Sequence, residues 1–232
     1  MSSFLFRFRL NLGLKRLFID NPAASAVLAQ LQPGRLKLPS LTLDEFIGAP
    51  APVIPFRQLA TPPITTGPED LIPLCSLAHS IGARRILEIG CHLGAGTLSL
   101  ALACPEARIV TYDINLQAGR LIDESAASLR ERIERRYVSF PTDEARLRAE
   151  APYDFIYVDG DHTEVGASAD TELALDRLAP GGIIAWHDYC HRGNEWVYRT
   201  NCVPEVLAAL SKRLPVRHIV GSRIAVWRKP IH

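Results

Sequence analysis

Several polar residues stand where an apolar run has just ended, and their types suit chemistry on a small ligand. The run Tyr153 to Val158 leads into Asp159-Gly160-Asp161-His162, and Ile183 to Trp186 leads into His187-Asp188-Tyr189. Carboxylates from two adjacent strand ends make a hard-oxygen site, so Asp159 and Asp188 could hold Mg2+. An imidazole titrates near neutrality, which makes His162 a candidate general base for a hydroxyl proton. The plainer role for His162 is to order its loop, and for the acids to cap helices. A third acid, Asp113, follows Arg108 to Tyr112 and could accept both hydrogen bonds of a diol, or cap the next helix. Upstream, Ile86-Leu87-Glu88-Ile89 opens onto Gly90-x-x-x-Gly94-x-Gly96. Glycines there let backbone approach a ligand and take positive φ. The spacing is not the G-x-G-x-x-G of dinucleotide sites, and no lysine follows as in a phosphate-gripping loop.

These residues need strands to carry them and helices to separate the strands. The chain alternates accordingly from Arg84 onward. Strands are predicted at 85–89, 108–113, 136–140, 154–159 and 182–187, with helices near 97–103, 117–132, 143–149 and 166–178. That order gives a parallel sheet covered on both faces, with ligands beyond the carboxyl ends of its strands. A helix over 203–213 follows, then strands 216–220 and 223–228 joined at Gly221-Ser222 as an antiparallel hairpin. The fold class is therefore α/β, Rossmann-like, with a mainly parallel seven-stranded sheet and a C-terminal hairpin. Before it, a helix is expected over 70–81, with Pro73 tolerated in its first turn. Prolines crowd between 50 and 68 as an extended connector. Short helices precede it, one opened by Asn21-Pro22, one by a Thr42–Glu45 capping box ending at Gly48. The expected division is an N-terminal arm with connector over 1–65 and a main domain over 66–232.

With 232 residues and a net charge of +1, the chain supports one α/β domain and shows no electrostatic footprint for nucleic acid. No apolar run is long enough to span a bilayer, so no membrane insertion is expected. Residues 4–18 are basic, apolar and strand-like in period; a membrane-surface helix or a transit peptide is the alternative, and the expected role is a structural arm, packed on its own domain or on a twin subunit in a homo-oligomer. The five cysteines are scattered and odd in number, as in a reduced, cytoplasmic protein. His187, Cys190, His191 and Cys202 match no common zinc spacing.

The stretch Glu88-x-Gly90-x-x-x-Gly94-x-Gly96-Thr97 resembles motif I of the class I S-adenosylmethionine-dependent methyltransferases, and the likeness extends over roughly residues 66 to 228. It implies that Glu88, Gly90, His92, Gly94, Gly96 and Thr97 form the cofactor loop, that Asp113 holds the ribose and that Ile114 lies against the adenine. Thr142 and Asp143, in Pro141-Thr142-Asp143-Glu144, would meet the adenine edge, and Asp159 would face the cofactor. Asp159, His162 and Asp188 are similar to the acid, base and second acid of metal-dependent catechol and macrolide-sugar O-methyltransferases. Tyr189 departs from that pattern, which has Asn as a further ligand. The implied activity is transfer of a methyl group from S-adenosylmethionine to a hydroxyl of a small molecule or sugar, with the polar loop 189–201 selecting the acceptor. Two other readings fit a glycine-rich α/β chain: an NAD(P)-dependent oxidoreductase and a non-catalytic cofactor-binding scaffold.

Overall fold

The structure, a computed structural model, describes residues 38–52, 66–190 and 201–231. The expected arm over 4–18, the helix after Pro22, most of the proline connector and the acceptor-loop residues 191–200 lie outside these. In chain order the elements are β1 (Ser40–Leu41), α1 (Leu43–Ile47), α2 (Pro68–Ser80), β2 (Arg85–Ile89), α3 (Ala95–Ala103), β3 (Arg108–Tyr112), α4 (Arg120–Asp123) and α5 (Ala127–Arg130). There follow β4 (Ile133–Arg136), a 3-10 turn (Phe140–Asp143), α6 (Glu144–Ala149), β5 (Tyr153–Val158), α7 (Glu164–Arg177), β6 (Leu178–Trp186), α8 (Val203–Leu210), β7 (Arg217–Ile219) and β8 (Ala225–Arg228).

Eight strands form one sheet in the order β1-β7-β8-β6-β5-β2-β3-β4. Strands β2 to β6 pair in parallel, while β8 runs antiparallel to both β6 and β7. The parallel core and terminal hairpin match the expectation; the eighth strand does not. It is Ser40–Leu41, which pairs in parallel with β7 and is too short to show a period. The order brings β2 beside both β3 and β5, so the reversal in strand order lies at the glycine loop.

Two other elements differ from the sequence pattern. The third parallel strand is Ile133–Arg136, earlier than the predicted 136–140. The apolar residues that suggested strand there, Val138 and Phe140, line a cavity instead. The long helix predicted over 117–132 is two short ones: Gly119, with φ of 88° and its N–H on the His92 carbonyl, delays the start to Arg120, and the chain leaves the helix between Asp123 and Ala127. The Thr42–Glu45 capping box is present, with Gly48 closing α1 in the left-handed conformation.

Both sheet faces are covered. On one, Leu71, Leu74, Leu77 and Ala78 of α2 pack with Leu100 of α3 on Ile86, Phe155 and Val226. On the other, Ala174 and Leu207 lie with Leu87, Ile156 and Trp186. Full burial of such side chains stabilises the fold by about 1.5–3 kcal/mol each. Strands buried on both sides read as continuous apolar runs, and this rigid sheet fixes the residues at its carboxyl edge.

Candidate active site

At that edge the strands are tied together through the backbone. Gly90 and Cys91 both donate to the Tyr112 carbonyl, and Asp159 donates to the Ile89 carbonyl at 2.7 Å. Gly90 has φ of 96°, and a Cβ on it would meet the Asp159 carbonyl oxygen at 1.9 Å. Only glycine fits there, because the backbone leaving β2 lies directly against the end of β5. Asp113 takes the His92 N–H and the Asn115 N–H, each at 2.8 Å. It thus joins the glycine loop to the end of β3 rather than capping a helix, and its lone pairs are not exhausted by these bonds.

A cavity of about 770 Å3 opens here, lined by Gly90, His92, Asp113, Ile114, Asp159 and His162 among others. Asp161 and Asp170 add two more carboxyl groups to its wall. A space lined by so many acids favours a cationic guest. Ile114 is 78% exposed and, with Val138, gives the cavity an apolar flank.

Beneath Asp159 lies a cluster of charges. His187 Nδ1 faces Asp159 Oδ1 at 3.0 Å and His187 Nε2 faces Asp70 Oδ2 at 3.2 Å. Arg223 donates from Nε to Asp70 Oδ2 at 2.8 Å and from Nη1 to Asp188 Oδ1 at 2.7 Å. His162 Nε2 lies 3.2 Å from Asp188 Oδ2 and 3.8 Å from Asp159 Oδ1. It makes no well-formed hydrogen bond to either, so the attraction is between charges. Asp188 reaches this position with φ of 53°, unusual for a residue with a side chain.

The charges explain the proton affinities. Contact with Asp159 and then Asp188 raises the His162 imidazole to about 9, against the effect of burial. Burial alone would lower His187, but the charge of Asp159 and bonds to Asp159 and Asp70 outweigh it and carry the ring to about 10. Burial likewise works to raise Asp70 and Asp159, yet their histidine and arginine neighbours hold both below the ordinary carboxylate range. Burial raises Asp170 to about 6.

The metal expectation fits less well. Ligand atoms of Asp159, His162 and Asp188 do lie within 4.8 Å of one another. However, Asp188 already binds Arg223 and Asp159 already faces His187. Tyr189, at the position of the expected third ligand, is turned into the core, where its hydroxyl accepts the Leu38 N–H at 2.8 Å.

Several other expected contacts do not reach the cavity. Glu88 is buried and accepts from the hydroxyls of Thr97 and Thr111, the latter at 2.6 Å. Burial raises its carboxyl to about 8 despite those bonds. Gly96 is needed because its missing side chain makes room for Glu88, not for a ligand: a Cβ would meet Glu88 Oε1 at 2.5 Å. Gly94 likewise packs against Ile122. Asp143 accepts from the Tyr112 hydroxyl at 2.7 Å, and Thr142 donates to the Ser139 carbonyl. Glu88, Gly94, Gly96, Thr97, Thr142 and Asp143 therefore brace the cavity from behind. Conversely, Asp70, Arg223 and Asp170 escaped the sequence reading. Asp70 did leave a signal, since it is one acid on the helix face shared by Leu74, Leu77 and Ala78.

A glycine loop, a diol-ready acid and a mainly parallel sheet with a terminal antiparallel hairpin define a class I methyltransferase fold. Residues 87–189 match the family described as "Methyltransferase domain". A mouse relative, catechol O-methyltransferase domain-containing protein 1, is 33% identical over 118 residues, which are 48% of this chain and 44% of that protein. The match thus spans less than half the length of that relative. Among solved structures, an O-methyltransferase from Bacillus cereus, in complex with SAH, has a TM-score of 0.56 at 24% identity, covering 88% of this chain and 97% of that one. TomG from Streptomyces achromogenes, an O-methyltransferase solved with SAM, has a TM-score of 0.53 at 18% identity, covering 88% and 96%. These two likenesses show the fold.

Proposed function

We propose that the protein transfers a methyl group from S-adenosylmethionine to a hydroxyl of a small molecule or sugar. The observation that carries this is a single cavity joining the glycine loop and Asp113 to Asp159 and His162. Its acidic wall suits a sulfonium. S-adenosylmethionine supplies a methyl carbon on a positively charged sulfur. In this reading Asp113 accepts from the ribose hydroxyls, Ile114 and Val138 cover the adenine, and Gly90 lets the amino-acid portion lie on bare backbone. Asp159 faces the charged end. The O-methyltransferases among the similar proteins support hydroxyl as the acceptor group.

His162 is the proposed base. Its Nε2 is buried against Asp188 and Asp159, so these acids keep a proton on that nitrogen and Nδ1 is left to accept one. As the acceptor oxygen bonds to the methyl carbon, the carbon–sulfur bond breaks with its electron pair going to sulfur, and the hydroxyl proton passes to Nδ1. Holding the oxygen in line with that bond is the other contribution of the chain. Among the described residues no helix is long and apolar enough to cross a membrane. We propose a cytoplasmic location, from the scattered and odd-numbered cysteines of the sequence, and a homo-oligomer formed through the N-terminal arm. The division into an arm over 1–65 and a catalytic domain over 66–232 is part of the same proposal.

Calorimetry with S-adenosylhomocysteine and with NAD tests the reading. Micromolar binding of the first and none of the second is expected. NAD binding with no response to S-adenosylhomocysteine would return the chain to the oxidoreductases.

A further inference from the structure

We propose that Arg223 and His187, both held by Asp70, take the place of a divalent metal at the Asp159–Asp188 pair. The centre then works on the protein's own cations. The chemistry rests on the methyltransferase reading above, but the binding test does not.

The three donors of Asp159, His162 and Asp188 converge closely enough for a metal, so the decision falls to charge. Arg223 Nη1 holds Asp188 Oδ1 at 2.7 Å. His187 Nδ1 lies 3.0 Å from Asp159 and 3.5 Å from Asp188. Its other nitrogen faces Asp70 at 3.2 Å. A ring that meets a carboxylate at each nitrogen donates from both and is therefore a cation. Three carboxylates, Asp70, Asp159 and Asp188, thus stand against two fixed positive charges. His162 Nε2 lies 3.2 Å from Asp188 as well. A divalent ion at the pair would stand beside these two cations, and with so little water around it the repulsion would be costly.

Neither cation can swing aside to admit a metal. Asp70 is fully buried and takes Arg223 through its backbone N–H at 2.7 Å, Nε at 2.8 Å and Nη2 at 2.7 Å. The same carboxylate holds His187. The position from which a third ligand would come belongs to Tyr189, which is committed to Leu38 on the opposite side.

The test is Mn2+ titration of the full chain, read by the electron paramagnetic resonance signal of the free ion. The wild type is expected to leave that signal undiminished at millimolar Mn2+. Arg223→Met frees Asp188 and should deplete the signal, with the depletion lost again on adding Asp188→Asn. If Arg223→Met fails to fold by circular dichroism, Asp70→Asn/Arg223→Met removes acid and base together and serves in its place. Uptake of Mn2+ by the wild type that Asp188→Asn abolishes would overturn the proposal. So would a folded Arg223 variant that still leaves the ion free. S-adenosylhomocysteine calorimetry on the same samples reads the methyltransferase assignment separately, so failure of one is not mistaken for failure of the other.

Discussion

Asp70 and Asp188 grip one guanidinium from opposite sides. Arg223 meets Asp70 through Nε and Nη2 and Asp188 through Nη1, all within 2.8 Å. Through this side chain, and through His187 on the same Asp70, α2 is bolted to the reactive edge of the sheet.

Breaking that grip should be costly. Asp70→Asn leaves Arg223 and His187 as buried cations short of a partner, and a loss of about 3–5 kcal/mol is expected. Urea denaturation measures it. Asp70→Asn/Arg223→Met should cost less than the sum of the two single changes, because each partner is exposed as a liability only when the other is removed alone. Strict additivity would mean the pair is not coupled.

Asp113→Ala should weaken S-adenosylhomocysteine binding by about 1–3 kcal/mol, the cost of leaving the ribose hydroxyls unpaired. Calorimetry on a variant with wild-type melting behaviour checks this. Unchanged affinity would reduce Asp113 to a tie between loops.

His162→Ala should lower turnover by about 10²–10⁴-fold with cofactor affinity unchanged. In the wild type the sign of the pH effect follows from its raised proton affinity. Below about 9 the ring is mostly protonated and cannot accept, so turnover should climb with pH and level off near that value. A profile that is flat across this range would remove His162 from the proton transfer.

Glu88 offers a stability test. The folded chain holds its proton up to about 8, while an ordinary glutamate releases it near 4.5. Between these values the folded state binds more protons than the unfolded one, so stability falls as pH rises. Glu88→Gln should remove that slope, melting higher than wild type at about pH 9 and converging with it towards about pH 5. Thermal melts across this range decide it, and parallel curves would show that Glu88 is ionised in the fold.

Much of this was legible in the chain. Asp159, His162 and Asp188 meet because each follows an apolar run, and the carboxyl ends of adjacent parallel strands lie side by side. The glycine loop and hairpin were legible for similar local reasons. Glu88 was misread because a strand buried on both faces shows no alternation to say which way a side chain points. Val138 and Phe140 were read as strand because hydrophobicity does not say whether it serves a sheet or a ligand. Asp70 was missed because its partners, His187 and Arg223, lie 117 and 153 residues away, and no local pattern spans such distances.

The bond from Asp70 to Arg223 also says where this chain can be cut. A shorter chain holding only β2 to β6 would keep the glycine loop, Asp113, Asp159 and His162, and would look complete by its motifs. It would lack both Asp70, which precedes β2, and Arg223, which follows β6. Even a piece extended to His187 would leave the Nε2 of that ring without Asp70. Modularity in this protein is thus wider than its recognisable motifs: a piece that keeps the buried charge cluster together must include both α2 and the Arg223 segment before β8.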